Sequence, residues 1–321
     1  MKKNLRALGD VLCLPCSVSI SKQIRIGALV NTSSAELVRP IHLRALLVNH
    51  LDAVILTFVI GALCLVLHDA VSLETLFLLV GMALIAWLAF AYNDLCDAPY
   101  DAQDATKRRR NFFTRQGSQR YWRVAAPIAL GIAALSFLQF GSRGVLLIGI
   151  SLVAVWAYSA PPLRLKSRPF FDLATHALFV QTFPYFVCLF LIGALWLPLD
   201  YLLLVLFFLS SLSAQLEQQA RDYKVDRRTD TNFTTQVGLR TTVYMLKIIT
   251  AILVVISVVG ALIGIIPPVL YPLGAVAAPL IWHRFMRRAG QPRSERLVWT
   301  MGILAAIYMG SLYAYWLIVN I

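Results

Sequence analysis

Nine apolar segments, each about as long as a bilayer is thick, constrain the fold of this chain more than any other feature. A transmembrane helix needs roughly 20 consecutive, mostly apolar residues to cross the hydrocarbon core. The chain is 59% hydrophobic and 14% charged, with a mean hydropathy of +0.72, unlike an ordinary soluble domain. The segments span 43–67, 73–92, 121–140, 143–159, 169–193, 198–220, 241–265, 268–286 and 297–319. We therefore predict an all-α membrane protein with nine transmembrane helices in one bundle.

The basic residues lie almost entirely on one side of this predicted bundle. If the amino terminus is cytoplasmic, 28 of the 29 lysines and arginines fall on the cytoplasmic side, and only Arg143 does not. This asymmetry follows the positive-inside rule and accounts for the net charge of +13 without a nucleic-acid partner. We predict a multi-pass protein of a prokaryotic cytoplasmic membrane, with a cytoplasmic or interfacial lead-in at 1–37 and a polytopic domain at 38–321.

Two aspartate-rich stretches occur where predicted helices run into cytoplasmic basic connections. The first contains Asp94, Asp97, Asp101 and Asp104, and the second contains Asp222, Asp226 and Asp230. Spacings of three and four residues place such side chains on one face of a helix. Crowded carboxylates repel one another unless a cation lies between them, and hard oxygen ligands suit Mg²⁺ shared with substrate phosphates. We predict a Mg²⁺-diphosphate site at the cytoplasmic surface, built from these carboxylates.

Proline interrupts the first of these stretches. Pro99 cannot sit within a helix without removing a hydrogen bond to the preceding turn. We therefore expect Asp94 and Asp97 to end helix 2, and Asp101 and Asp104 to begin a new turn.

Basic residues accompany both stretches and a third cytoplasmic connection. Lys107 follows the first stretch and Arg221 precedes the second. Arginine matches phosphate oxygens with its planar fork and lysine supplies a point charge, so either residue type can bind diphosphate. The third connection reads Tyr-Ser-Ala-Pro-Pro-Leu-Arg-Leu-Lys from Tyr158, and its two prolines predict a turn that brings Arg164 and Lys166 close to the membrane surface. For most of these charges, topology alone is a sufficient explanation.

Four further polar residues are candidates for either structure or function. Asp172 lies just inside helix 5, where it could cap the helix or orient a substrate molecule. Gln218 precedes Asp222 by one turn on the same helical face, and we consider it a substrate-binding candidate. His50 and His176 could contact an acceptor, but a neighbouring helix satisfies such groups more often.

The three cytoplasmic stretches together resemble the UbiA superfamily of intramembrane prenyltransferases. The resemblance rests on NDxxDxxxD at Asn93–Asp101, DxxxD at Asp222–Asp226 and YSxPPxRxK at Tyr158–Lys166, and it covers about 38–319. It implies that Asn93 and five aspartates bind Mg²⁺ and the diphosphate of an isoprenoid donor, with the metal ligands Asp94, Asp97, Asp101, Asp222 and Asp226. It also implies that Arg164 and Lys166 neutralise the diphosphate and that Tyr158 lies near the reacting carbon. The expected catalytic residues are Tyr158, Lys166 and Asp172, and the expected substrate-binding residues are Asn93, Lys107, Arg164, Lys166, Arg221 and Gln218.

The implied activity is Mg²⁺-dependent transfer of a polyprenyl group from its diphosphate to a lipophilic acceptor in the membrane. An aromatic quinone precursor, a pigment or a carotenoid are the acceptor classes, and the Tyr158–Lys166 and Arg168–Asp172 runs look most like the pigment and carotenoid branches. Donor cyclisation and phosphoribosyl transfer to a polyprenyl phosphate are alternatives within the resemblance. A transporter is a rival from another class, but transporters place ionisable residues near the bilayer midplane between repeated halves.

Overall fold

Every regular element that the structure describes is helical. The computed structural model describes residues 46, 48, 50–115, 118–229, 231–288, 291 and 294–320, without the side chains of residues 106, 228, 229 and 320. The α-helices are α1 (Leu51–Leu67), α2 (Leu73–Asp101), α3 (Ala105–Arg110), α4 (Ser118–Leu138), α5 (Gly141–Ser159), α6 (Phe171–Ala177), α7 (Phe183–Ile192), α8 (Pro198–Thr229), α9 (Phe233–Val237), α10 (Leu239–Leu262), α11 (Tyr271–Met286) and α12 (Glu295–Asn320). Short 3₁₀ turns lie at Phe112–Thr114, Leu165–Ser167 and Pro268–Leu270. The predicted lead-in at 1–37 lies outside the described residues.

Seven helical segments are long and apolar enough to cross a membrane: α2, α4, α5, the α6–α7 unit, α8, α10 and α12. The all-α, multi-pass prediction is therefore confirmed. Helix α1 is apolar but has only 17 described residues, and α11 has 16. These two helices correspond to the first and eighth predicted spans. The count of nine spans and the cytoplasmic amino terminus remain predictions.

Two predicted spans are parts of longer helices. The apolar segments end at residues 92 and 220, but α2 continues to Asp101 and α8 continues to Thr229. A helix can continue beyond the apolar part of a bilayer, because its backbone hydrogen bonds do not depend on the burial of its side chains. Charged residues can therefore lie outside the apolar region and still belong to the helix. Both aspartate stretches therefore begin on helical extensions of membrane-spanning segments.

The fifth predicted span is a single unit with a wider turn inside it. Between α6 and α7, residues Leu178–Thr182 form a π-helical turn. Pro184 at the start of α7 has no N–H to bond to the preceding turn, and the Thr182 hydroxyl donates to the carbonyl of Ala177 at 2.9 Å. The helix thus widens locally instead of ending.

The largest apolar core lies in the half of the bundle away from the aspartates. It joins α1, α2, α7, α8 and α12, and includes Leu65, Leu79 and Leu189. A smaller cluster around Phe233 and Leu246 packs α9 and α10 near the aspartate-bearing end of α8. Large apolar side chains on the outer faces of α4, α5 and α10 are exposed, which is typical of lipid-facing surfaces. One end of the bundle is therefore packed with apolar groups, and the other collects polar ones.

Candidate active site

The first aspartate stretch occupies the last turns of α2 and the turn that follows. The helix runs through Pro99 to Asp101, so the expectation that Pro99 ends it is wrong. A proline in the last turn removes only one hydrogen bond to an earlier carbonyl, which the rest of the helix tolerates. Asp104 lies beyond α2, and its Oδ1 accepts the backbone N–H of Lys107 at 2.9 Å. Asp104 therefore caps α3.

The turn after α5 places two basic side chains on the first stretch. Lys166 Nζ donates to Asn93 Oδ1 at 2.8 Å and also to Asp97 Oδ1. Arg164 Nη2 donates to the same Asp97 oxygen at 3.2 Å. The Ser159 hydroxyl donates to Asn93 Oδ1 at 3.3 Å. Residues nearly 70 positions apart in the sequence therefore meet at one point, because the turn folds over the end of α2.

Arg164 adopts a conformation that non-glycine residues rarely take. Its φ angle is 38°, in the left-handed region, and such backbone strain costs roughly 1–3 kcal/mol. Its guanidinium carbon lies 4.1 Å from the centroid of the Tyr100 ring. Its Nε is buried and has no hydrogen-bond acceptor among the described residues. A buried donor without an acceptor is costly, so an anionic ligand at this position would relieve that cost.

The second stretch lies on α8 and carries its own basic partners. Asp222 and Asp226 are one helical turn apart. Arg221 donates to both oxygens of Asp222, at 2.9 and 2.7 Å, and its third contact is Glu295 Oε1 at 2.8 Å. Arg221 therefore neutralises a motif carboxylate and ties α8 to the start of α12. Asp230 lies outside the described residues.

Lys107 joins the two stretches directly. Its Nζ donates to Asp226 Oδ1 at 2.9 Å, although the residue belongs to α3, just after the first stretch. Burial opposes the ammonium charge, but the bond to Asp226 and the nearby carboxylates of Asp101 and Asp222 outweigh it and raise the pKa of Lys107. Because the pKa is raised above the ordinary lysine value, the Lys107 side chain stays charged through the neutral range and loses its proton only in alkali.

The remaining carboxylates of the first stretch also have partners. His50 Nε2 lies 3.0 Å from Asp94 Oδ2, and Asn111 Nδ2 donates to Asp101 Oδ2 at 2.8 Å. Within the described residues, no three His, Cys, Asp or Glu side chains form a preassembled metal cage. The donor set nevertheless fits Mg²⁺, because this ion is usually held by one or two carboxylates together with substrate phosphates. The five predicted metal ligands therefore lie at one end of the bundle, each paired with a group of the protein.

Asp172 contacts other parts of the protein, and the catalytic role expected for it stays a prediction. The residue is fully buried at the start of α6, and Oδ1 accepts the N–H of Leu173 at 2.8 Å. Oδ2 accepts the side chain of Gln219 at 2.7 Å and the N–H of Phe233 at 2.8 Å. These bonds tie α6 to α8 and α9.

The glutamine that sequence reasoning selected is not the one that makes this contact. Gln218 is exposed, whereas Gln219 is buried and also accepts from the N–H and the hydroxyl of Thr234, at 3.1 and 3.0 Å. One position along a helix changes the facing direction by about 100°, which separates these two side chains. Tyr158 is half-buried in the last turn of α5, next to Ser159.

Four residues that bond to site residues were not predicted from the sequence: Ser159, Gln219, Asn111 and Asn232, the last of which donates from Nδ2 to Asp226 Oδ2 at 3.1 Å. Asn232 had a detectable signal, because Asn-x-x-Thr before a short helix is a capping-box pattern. Asn111 and Gln219 lie in positions that local sequence does not distinguish. Their contacts depend on which helices pack together.

Comparisons with known proteins agree with this architecture. The family model of the UbiA prenyltransferase family matches residues 54–304. A UbiA homologue from Archaeoglobus fulgidus bound to GPP and Mg²⁺ superposes with a TM-score of 0.66 at 19% identity, covering 84% of this chain and 98% of that one. The same homologue bound to DMAPP and Mg²⁺ gives a TM-score of 0.65, with the same identity and coverage. An apo UbiA homologue from Aeropyrum pernix K1 gives 0.63 at 14% identity, covering 81% and 96%.

No curated protein matches the sequence. The structural likenesses, at under 20% identity, show the fold, and the family model spans most of the chain. The resemblance expected from the three motifs is therefore confirmed. This chain belongs to the UbiA prenyltransferase family.

Proposed function

We propose that this protein transfers a polyprenyl group from an isoprenoid diphosphate to a lipophilic acceptor, with Mg²⁺ as cofactor. One observation carries the proposal. The basic turn after α5 closes on Asn93 and Asp97, while Lys107 connects the first stretch to Asp226. Cationic and anionic groups from three distant segments thus form one polar site at the end of an apolar bundle. The UbiA homologues bound to Mg²⁺ with GPP or DMAPP support the same assignment.

The basic residues would hold the diphosphate as it departs. The Nε of Arg164 is buried and has no hydrogen-bond acceptor among the described residues, and the side chain of Lys166, which supplies an ammonium, is 9% exposed. Bound Mg²⁺, held by the motif carboxylates with the donor diphosphate, would supply further positive charge to the leaving group. These charges act most strongly as the allylic C–O bond breaks and its electron pair leaves with the diphosphate. Lys166 and Arg164 must release Asp97 to reach the donor.

The bundle would protect the allylic cation that this cleavage produces. The site adjoins apolar helices that exclude water, and Tyr158 lies half-buried at its edge. An aromatic face stabilises a nearby cation by about 0.5–2 kcal/mol, depending on its desolvation. The acceptor would attack the cation and lose a proton, which completes the transfer. We propose a quinone precursor, pigment or carotenoid as the acceptor, because such molecules partition into the bilayer.

Product analysis with purified protein tests the proposal. The protein in nanodiscs, Mg²⁺ and radiolabelled geranyl, farnesyl or geranylgeranyl diphosphate would be incubated with and without a membrane lipid extract. We expect a prenylated lipid and released diphosphate only when the extract is present. A labelled cyclic product from donor alone would instead indicate a cyclase.

Two controls sharpen this experiment. EDTA should abolish product, and Asp97→Asn should reduce turnover at least ~100-fold, the scale of losing one strong electrostatic stabiliser. Gln103→Ala changes an exposed glutamine beside the first stretch, whose side chain donates to the carbonyl of Pro99, and should leave turnover nearly unchanged. Full activity in the presence of EDTA would refute metal-assisted ionisation.

A further inference from the structure

Two buried asparagines lie next to the aspartate stretches, one beside each stretch. Asn111 is 3% exposed and Asn232 is 6% exposed. Asn111 begins the 3₁₀ turn Phe112–Thr114, and its Oδ1 accepts the N–H of Phe113 at 2.8 Å. Asn232 begins α9, and its Oδ1 accepts the N–H of Thr235 at 2.9 Å. Each oxygen therefore caps a short helical segment that follows a motif.

The amide nitrogens of the same two residues point at motif aspartates. Asn111 Nδ2 donates to Asp101 Oδ2 at 2.8 Å and to the carbonyl of Asp94 at 2.7 Å. Asn232 Nδ2 donates to Asp226 Oδ2 at 3.1 Å. Because each asparagine oxygen faces a backbone N–H, the nitrogen must face the carboxylate, and the amide cannot flip without losing both contacts. The same arrangement, in which the asparagine oxygen caps a helical segment and the nitrogen donates to a motif aspartate, thus occurs in two unrelated stretches of sequence.

An asparagine affects the charge of a neighbouring carboxylate differently from a lysine or an arginine. A cationic partner neutralises a carboxylate and competes with a metal ion for it. The neutral amide fixes the orientation of the carboxylate and leaves its negative charge in place. Asp226 shows both kinds of partner, since Lys107 holds Oδ1 while Asn232 holds Oδ2. If Lys107 moves away, Asn232 still holds the side chain.

We propose that Asn111 and Asn232 are positioning residues that orient Asp101 and Asp226 for a divalent cation shared with the donor diphosphate. The inference rests on the proposed function and adds to it two residues outside the recognised motifs. Groups that hydrogen-bond to metal ligands typically contribute 10–100-fold to metal affinity. Their role is therefore measurable without turnover.

Serine substitution separates positioning from capping. Serine is a good helix N-cap, so Asn111→Ser and Asn232→Ser keep a capping oxygen and remove the amide donor. Ser72→Ala is the matched control, because Ser72 and Thr75 form the same kind of capping box at the start of α2. The 29-residue helix places that box roughly 40 Å from the aspartates at its other end. The control thus loses a cap without touching the site.

The experiment measures Mn²⁺ binding by electron paramagnetic resonance, in full-length protein with a non-hydrolysable donor analogue, alongside thermal unfolding. We expect about 10-fold weaker Mn²⁺ binding in each asparagine variant, with unfolding temperatures no lower than that of Ser72→Ala. The Mg²⁺ concentration for half-maximal activity should rise by the same factor, and kcat at saturating Mg²⁺ should largely recover.

Different results would contradict the positioning role of the asparagines and the proposed function. Unchanged Mn²⁺ affinity in a folded variant at either position would overturn the positioning role of that asparagine while leaving the proposed function standing. Weaker binding in Ser72→Ala to the same extent would overturn it at both positions, since the effect would then follow general stability. Absence of Mn²⁺ binding by the wild-type protein would refute the proposed function itself, and this inference with it.

Discussion

Lys166 offers the sharpest test of the site, because its role as a charge partner and its role as a topology determinant predict different results. Lys166→Met keeps the side-chain stem and removes the ammonium that bonds Asn93 and Asp97. In the resting protein the loss should be small. Asp97 keeps Arg164 at 3.2 Å and is 22% exposed, so water and the guanidinium replace the missing partner. We expect a stability change of about 1 kcal/mol, the scale of one ordinary hydrogen bond.

The effect on catalysis should be much larger. If Lys166 stabilises the departing diphosphate, its charge acts mainly in the transition state, where losing one preorganised partner costs roughly 2.7–4 kcal/mol. We therefore expect kcat to fall about 100- to 1,000-fold, with a smaller change in the KM for the donor. Lys166→Arg keeps the charge in a different geometry and should recover part of the activity.

The assay measures kcat and KM for a labelled donor at saturating Mg²⁺, with thermal unfolding of the same preparations. Arg168→Met is the matched control, because Arg168 belongs to the same connection, is exposed, and donates to the carbonyl of Pro162 at 3.1 Å. It removes one cytoplasmic charge but no contact to the aspartates. Normal kcat in folded Lys166→Met would refute the reasoning and reduce this turn to a topology determinant.

Three further predictions concern the link between the stretches, the buried carboxylate and the orientation. Lys107→Met should raise the KM for the donor about 10-fold, because one charge-assisted bond to the diphosphate is lost, while the Mg²⁺ requirement should not rise, because the cation that competes with the metal for Asp226 is gone; an unchanged KM for the donor would exclude this role. Asp172→Asn should destabilise the fold by roughly 1–3 kcal/mol, because an amide nitrogen would face donors, whereas Gln218→Ala should leave unfolding unchanged, and reversal of this order would contradict the assignment. In a cysteine-free background, an impermeant thiol reagent outside intact cells should label Leu195→Cys but not Arg109→Cys, and the opposite pattern would invert the topology.

Part of the site could be predicted because its signals are local. Carboxylates spaced by three and four residues share a helical face wherever that helix is placed, and α8 carries Asp222 and Asp226 in this way. Pro99 shows where local reasoning fails, since α2 runs through it to Asp101, as α4 runs through Pro127. Asp172 shows a second limit. Its sequence position suggested a cap or a contact to the prenyl acceptor, but it did not indicate the bonds to Gln219 and Phe233, which depend on the packing of α8 and α9 against α6.

The sequence by itself determined the class of protein, the approximate positions of its long apolar segments and the resemblance to its family. Transfer of an apolar segment into lipid depends on the roughly 20 residues of that segment, and the charge bias between connections is a sum over residues, so neither requires knowledge of contacts. The tertiary structure alone decided which charges meet. The pairing of Lys107 with Asp226 spans 119 positions, and that of Lys166 with Asp97 spans 69. Such contacts depend on how the helices pack and on the turn after α5, and no local preference encodes them.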